Sequence, residues 1–124
     1  MKRLREGTAA IGAKFIVFNG KDLSLKQQAS LFANATVVVG VHGAAFANIL
    51  FSSPKVMVAE LSFNSEFTKH YAHAATALGF EYKAYPLEGD ERGAGADTVK
   101  YAVGVAEALL DDVISHIGQS CAAF

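Results

Sequence analysis

The fold is decided by Thr36–Leu61, which reads TVVVGVHGAAFANILFSSPKVMVAEL. Thr36–Val41 is a β-branched apolar run, which is typical of a strand buried on both faces. Small residues interrupt this run, and Ala44–Phe51 is then apolar nearly all round, which predicts a short buried helix. After the loop Ser52–Lys55, the run Val56–Leu61 predicts a second buried strand. The stretch therefore predicts a strand, a sharp turn, a helix and a strand.

The turn between the first strand and the helix is a candidate ligand site. His42 falls just past the carboxyl end of the strand, and Gly43, Ala44 and Ala45 open the helix. Backbone N–H groups at a helix start have no partners within the helix, and together with the helix dipole they attract an anion such as phosphate. The small side chains would let a ligand approach the backbone. The same pattern also fits a turn that binds nothing, with His42 as a hydrogen-bonded structural residue.

Two more polar residues interrupt apolar segments nearby. Asn48 lies about one turn into the helix, and Glu60 lies near the carboxyl end of the next strand. Open α/β sheets build their sites at the carboxyl ends of strands, so we expect both residues to meet His42 at one edge. The alternatives are a satisfied core amide for Asn48 and a structural carboxylate for Glu60, paired with His42 or a backbone N–H.

Predicted strands and helices alternate along the rest of the chain. At 124 residues we expect a single domain, residues 1–124, with a mostly parallel sheet and helices on both faces. The predicted elements are a weak helix over Lys2–Ile11 stopped by Gly12, a strand over Lys14–Asn19, a helix from Ser24 to about Ala35, a helix through Phe67–Leu78 with Gly79 after its end, a strand over Phe80–Tyr85 ended by Pro86, and a helix through Val103–Ile117 capped by Gly118.

Composition excludes several classes of protein. The formal net charge of −1, with no basic cluster beyond Lys2–Arg5, argues against nucleic-acid binding. Cys121 is the single cysteine, so the chain holds neither a disulfide framework nor a cysteine metal site. The longest apolar run, Val37–Phe51, is shorter than the ~20 residues of a membrane helix. The first residues lead into no hydrophobic stretch, so we expect neither a signal peptide nor a membrane span.

No common catalytic motif is present. Walker-type phosphate loops, the Gly-x-Ser-x-Gly elbow and a metal-binding Asp-x-Asp pair are all absent. Glu66, His70 and His73 have the spacing of one helix face, but an apolar stripe lies beside them and no fourth ligand is implied, so we predict no metal site.

Several polar residues are interpreted as structural. Ser24 and Gln27 fit a capping box, and Gln28 fits a contact between helices. The pair Asp111–Asp112 fits a solvated helix face, and His116 fits a helix end. Tyr82 and Tyr85 alternate with polar residues, which favours packing on a strand.

The ordered motifs resemble glycosyltransferase family 61, which includes plant cell-wall xylosyl- and arabinosyltransferases and the EGF-domain O-GlcNAc transferase. The similar segments are Ser24–Gln28, Leu31–Ala35, Val37–Phe51 and Val58–Leu61. Matching positions within them are Ser24, Gln28, His42, Gly43, Ala44, Asn48 and Glu60. Tyr82, after Leu78-Gly79-Phe80, follows the same family pattern. The resemblance covers about Lys14–Tyr85, and Val41 replaces the family's proline before His-Gly-Ala.

The resemblance implies a fold of GT-B type, in which two Rossmann-like halves enclose the active site. This chain resembles the second half, which binds the nucleotide sugar. The first half, which generally supplies the catalytic base of inverting enzymes, has no counterpart in the sequence. We therefore expect a missing N-terminal half or a partner chain to complete the enzyme.

The resemblance also implies the reaction. A sugar linked to a nucleotide diphosphate, here UDP, would pass to a glycan or glycoprotein acceptor. His42 and the helix start at Gly43–Ala45 would offset charge on the leaving diphosphate, and Asn48 and Glu60 would contact the sugar donor. Glu60 would accept hydrogen bonds from ribose hydroxyls.

Neither a metal nor another cofactor is expected, and eukaryotic family members act in the secretory pathway, in the ER or Golgi lumen. Two other interpretations stay open. The chain could be a nucleotide-binding module without transferase activity, or an α/β interaction domain whose turn binds no ligand.

Overall fold

The computed structural model describes residues 2–41, 44–63, 69–87 and 103–122. Within them the chain forms four α-helices, three strands and two 3-10 helices. The α-helices are α1 (Lys2–Ala10), α2 (Leu25–Asn34), α3 (His70–Ala77) and α4 (Val103–Ala122). The strands are β1 (Val37–Val41), β2 (Met57–Phe63) and β3 (Glu81–Leu87). The 3-10 helices are Gly20–Asp22 and Ala44–Phe51, the second of which is called the 44–51 helix below.

The three strands form one parallel sheet in the order β1-β2-β3. Val41, the last residue of β1, lies level with Leu61 of β2, which in turn lies level with Tyr85 of β3. In the central strand β2, Val58 and Ala59 are fully buried. Val37, Val38 and Val39 of β1 are only half-buried, because β1 is an outer strand of the described sheet. Burial on both faces was therefore predicted correctly for β2 and wrongly for β1.

Helices cover both faces of the sheet, which confirms the predicted α/β class. Helices α1 and α4 lie on one face, where their apolar side chains meet the odd-numbered residues of β2. This core consists of Leu4, Met57, Ala59, Leu61, Tyr85, Leu109 and Val113. On the other face, α2 and the 44–51 helix bury Phe32, Phe46 and Ile49 against Val56 and Val58, with side chains of α3 packed beside them.

The strand predicted over Lys14–Asn19 is not formed. This segment has no regular secondary structure, although its phenylalanines anchor it to both cores. Phe15 packs against the α1–α4 face under the Arg5 guanidinium, which lies 5.1 Å from the ring centre. Phe18 packs on the opposite face, edge-on to Phe32 at 5.2 Å. Side chains therefore hold the segment in place without the backbone ladder that defines a strand.

Glycine ends two helices as predicted, in α1 and α3. Gly12 and Gly79 have φ of +77° and +76°, a left-handed conformation that glycine adopts readily. After α3, Gly79 N–H donates to Thr76 O and Phe80 N–H donates to Ala75 O, which is the Schellman pattern.

Two predicted ends are wrong. Helix α4 continues past Gly118 to Ala122, and β3 continues through Pro86 to Leu87. Proline is tolerated there because β3 is an outer strand of the described sheet. No helix among the described residues has the length and apolar character needed to cross a membrane.

Candidate functional site

The predicted site lies at the carboxyl end of β1. His42 and Gly43, which follow Val41 in the sequence, lie outside the described residues, so their proposed roles stay predictions. The 44–51 helix begins at Ala44, immediately after this turn, and its first two residues are Ala44 and Ala45. Parallel pairing thus places a helix start at the edge where α/β folds bind ligands.

The 44–51 helix presents one face to the core. Phe46 and Ile49 are buried, whereas Leu50 and Phe51 are 65% and 44% exposed. The prediction that this helix is buried all round is therefore wrong, because α2 and the sheet cover one of its faces only. The ring of Phe46 lies over Gly40 of β1, where an added Cβ would come within 3.1 Å of it.

Asn48 joins the 44–51 helix to α2. Its Nδ2 donates to Gln28 Oε1 at 3.1 Å. The Gln28 Nε2 in turn donates to the carbonyl oxygens of Gly20 and Leu23, at 3.0 and 3.2 Å. The Gln28 amide is thus fixed at both ends, and it fixes Asn48. The interpretation of Gln28 as a contact between helices is confirmed.

The capping box at the start of α2 is also confirmed. Gln27 N–H donates to Ser24 Oγ at 3.1 Å, and Ser24 N–H donates to Gln27 Oε1 at 2.8 Å. These two bonds satisfy backbone donors that the first turn of the helix leaves open.

Glu60 is the most unusual residue of the described sheet. It lies in the middle of β2, between Gly40 and Ala84, and its exposed fraction is 0%. Glu60 shares the face of Val58 and of the 44–51 helix, because side chains alternate along a strand. Its Oε1 accepts a hydrogen bond of 2.5 Å from the Tyr82 hydroxyl on β3. A buried carboxylate is costly unless it is hydrogen-bonded, and this bond meets part of that cost.

The partnership also affects Tyr82. Burial, followed by the hydrogen bond to Glu60 and the charge of Glu60, raises the pKa of the Tyr82 phenol well above its ordinary value. The phenol therefore stays protonated and continues to donate. Sequence analysis assigned Tyr82 to packing and missed this bond. The available signal was a tyrosine on the strand next to a buried glutamate.

An analogous pair lies on the other face of β3. Tyr85 donates to Asp112 Oδ2 at 2.6 Å, and Lys83 Nζ lies 2.7 Å from the same oxygen. Hydrogen bonds from Lys83 and then from Tyr85 lower the pKa of Asp112. The Asp112 side chain is 37% exposed, in agreement with a solvated face, but its carboxylate also ties α4 to β3, which the sequence did not predict.

At the amino ends of β2 and β3, His116 joins α4 to β3 and to the loop before β2. Its Nδ1 lies 2.9 Å from Glu81 Oε2, and its Nε2 lies 2.9 Å from the carbonyl oxygen of Lys55. His116 lies within α4, not at its end as predicted. A cavity of about 310 Å³ opens beside it, between Pro54 and Gln119, at the opposite end of the sheet from the 44–51 helix start.

The histidines of α3 form no metal centre with the other described residues. His70 begins the helix and His73 follows one turn later, but Glu66 lies outside the described part of the chain. Within that part, no group of three histidine, cysteine, aspartate or glutamate side chains could hold a metal ion.

Of the predicted site residues, Asn48 and Glu60 lie on the same face of the sheet, each fixed by a side chain from a neighbouring element. Comparison with known families bears on the same region. Residues 1–59 match the family model described as Glycosyltransferase 61. The match covers 59 of the 124 residues, and this part of the chain is similar to glycosyltransferase family 61.

The family 61 match spans α1, α2, β1, the 44–51 helix and the first residues of β2. It therefore contains the strand, turn and helix of the candidate site, whereas Glu60 follows one residue after its end. This match supports a glycosyltransferase, an enzyme that passes a sugar from a donor to an acceptor. No curated protein and no solved structure shows significant similarity to the chain.

Proposed function

We propose that this chain is the donor-binding half of a glycosyltransferase of GT-B type, and that it binds a UDP-linked sugar. The observation that carries the proposal is the strand–turn–helix unit at the carboxyl end of a parallel sheet, inside the segment that matches family 61. Ligands of open α/β sheets bind outside the carboxyl ends of the strands, and a helix start there favours phosphate.

The proposed chemistry assigns each residue a role. Gly43, Ala44 and Ala45 offer backbone N–H groups to the diphosphate, and the His42 imidazole is the catalytic group that offsets the charge on this leaving group. Asn48, oriented by Gln28, contacts the sugar donor from the second turn of the 44–51 helix. These groups supply the positive potential themselves, so the proposed reaction needs no divalent metal and no other cofactor.

Glu60 supports the site from within the sheet. Its carboxylate accepts a hydrogen bond from the hydroxyl of Tyr82, on the face that carries the 44–51 helix. In the complex with the sugar donor, Glu60 also accepts hydrogen bonds from ribose hydroxyls. The acceptor is a glycan or glycoprotein, and a second half or a partner chain binds it and contributes the general base.

Thermal unfolding with nucleotides tests the proposal. UDP, GDP, CMP and ATP are added separately at millimolar concentration to the wild type, to His42→Ala and to His73→Ala. A ligand at ~100 times its dissociation constant raises the free energy of unfolding by about 2.7 kcal/mol. His73→Ala is the matched control, because it removes an exposed imidazole from α3.

We expect UDP to stabilise the wild type and His73→Ala but not His42→Ala. If no nucleotide stabilises the wild type, the chain holds no sugar donor and the proposed function is wrong. If UDP binds, but sugar transfer fails with glycan acceptors even when the completing half is supplied, the chain is a nucleotide-binding module without transferase activity.

A further inference from the structure

The starting observation is a charged side chain where packing alone would place an apolar one. Glu60 is fully buried in the central strand, on the same face as Val58 of β2 and Val56, the residue just before β2. Glutamate is almost never fully buried unless it is paired, so its position calls for an explanation in terms of chemistry or specific structure. The partner on β1 at the same level is Gly40, which has no side chain to compete for the space.

The Tyr82 hydroxyl of β3 reaches Glu60 diagonally, on the adjacent strand β2. Tyr82 lies level with Val58, whereas Glu60 lies level with Ala84, one step further along the same face. The bond of 2.5 Å is within the range of short hydrogen bonds between a hydroxyl and a carboxylate. A phenol is already protonated at neutral pH, and the raised pKa of Tyr82 keeps it a donor into the alkaline range. One oxygen of Glu60 is therefore held in a fixed place by β3.

Glu60 lies close to the end of β1. Its level partner Gly40 is followed by Val41, the last residue of that strand, and then by the turn to the 44–51 helix. Phe46, from the first turn of that helix, packs over Gly40 and belongs to the same core as Tyr82 and Val58. A shift of the Glu60 carboxylate would therefore change the packing beside the start of the 44–51 helix.

We propose that Tyr82 is a positioning residue of the sugar-donor site: its hydroxyl fixes the Glu60 carboxylate, and thereby sets the affinity for the nucleotide of the sugar donor. This inference rests on the proposed function, because it assigns Tyr82 to the same site. It adds a residue of β3 to a site otherwise built from β1, β2 and the 44–51 helix.

The chain contains a matched control in Tyr85. Tyr85 also lies on β3 and also donates to a carboxylate, at 2.6 Å, but on the opposite face, where Asp112 ties down α4. Tyr82→Phe and Tyr85→Phe each remove one hydroxyl and leave a ring. Both variants are expected to unfold at a lower temperature than the wild type, because each leaves a carboxylate without one of its donors. Only Tyr82→Phe removes a contact of Glu60.

The experiment is isothermal titration of the wild type and both variants with UDP, after circular dichroism has verified that each is folded. We expect Tyr82→Phe to lose about fivefold or more in UDP affinity, the lower end of typical coupling between sites, and Tyr85→Phe to stay within about twofold of the wild type. In the Glu60→Gln background, Tyr82→Phe should cause a smaller loss, because the two residues act through one contact. If Tyr82→Phe does not fold, Tyr82→Met replaces it, since the flexible methionine fills the space without a hydroxyl.

The outcomes separate this inference from the proposed function. Equal UDP affinity in the wild type and Tyr82→Phe overturns the positioning role and leaves the proposed function standing. Equal losses in Tyr82→Phe and Tyr85→Phe also overturn it, because loss of stability alone would then explain both. If the wild type binds no UDP, the proposed function fails and this inference fails with it.

Discussion

Single residues of β3 show how one side-chain type serves different purposes on the two faces of a strand. Tyr82 and Tyr85 each donate a hydroxyl to a carboxylate, at 2.5 and 2.6 Å. Glu60 has no exposed surface, whereas 37% of the Asp112 side chain is exposed. Water can therefore replace a lost hydrogen-bond partner of Asp112, but it cannot replace a lost partner of Glu60. We therefore expect loss of the Tyr82 hydroxyl to affect its carboxylate more than loss of the Tyr85 hydroxyl does.

The lowered pKa of Asp112 makes a prediction about acid stability. Its folded pKa lies below the ordinary value of 3.8, so the charged carboxylate stabilises the fold above that pH. This contribution is lost as the pH falls below 3.8 toward the folded value. The exchange Asp112→Asn should cost about 1 kcal/mol or less at neutral pH, because the ion pair with Lys83 is partly exposed.

Urea unfolding at a series of pH values checks this prediction. The difference in unfolding free energy between wild type and Asp112→Asn should be constant near neutral pH and shrink below pH 3.8. Asp111→Asn, on the adjacent exposed residue, is the control for the loss of a carboxylate from the same helix. A difference that persists unchanged in acid would contradict the assigned role of the carboxylate.

At the scale of elements, sequence patterns predicted most helices and all three strands of the described sheet well. The capping box at Ser24 and the glycine after α3 were readable because each depends on a local hydrogen-bond pattern. Partners across strands were not readable. The bond from Tyr82 to Glu60 joins residues 22 positions apart, and it depends on a register that no local pattern encodes. The partners of Asp112 were missed for the same reason, since they lie on β3.

Two glycines test what ends a helix. Gly79 follows α3 with φ of +76°, whereas Gly118 lies within α4 without a positive φ. An added Cβ would meet no atom within 4 Å at either position, so only the backbone conformation differs. Gly79→Ala should therefore destabilise the fold by about 1 kcal/mol, and Gly118→Ala should stabilise it by about 0.5–1 kcal/mol.

Thermal unfolding of the two variants measures these opposite effects. Each serves as the control of the other, because both add the same methyl group into open space. Destabilisation by Gly118→Ala would mean that α4 ends at Gly118 in solution, as the sequence pattern alone had indicated.

At the scale of the whole molecule, the sheet separates two apolar cores, and Lys14–Asn19 contacts both. This segment was predicted to be a fourth strand, and the observed anchoring of Phe15 and Phe18 to opposite cores keeps the side-chain pattern of a strand. What is missing is the backbone ladder. Ile16 and Val17 remain 51% and 58% exposed, so this segment buries too little apolar surface to be fixed as firmly as β2.

Hydrogen exchange distinguishes a packed segment from a strand. Residues Met57–Leu61 of β2 pair on both sides, with β1 and with β3, and their side chains are the most buried of the described sheet. Their amides should exchange only through global unfolding, whereas the amides of Lys14–Asn19 should exchange through local opening and much faster. Native-state exchange followed by mass spectrometry measures both segments in one sample. Equal protection of the two would show that Lys14–Asn19 joins the sheet in solution, and the difference expected here would show that side-chain anchoring alone does not create a strand.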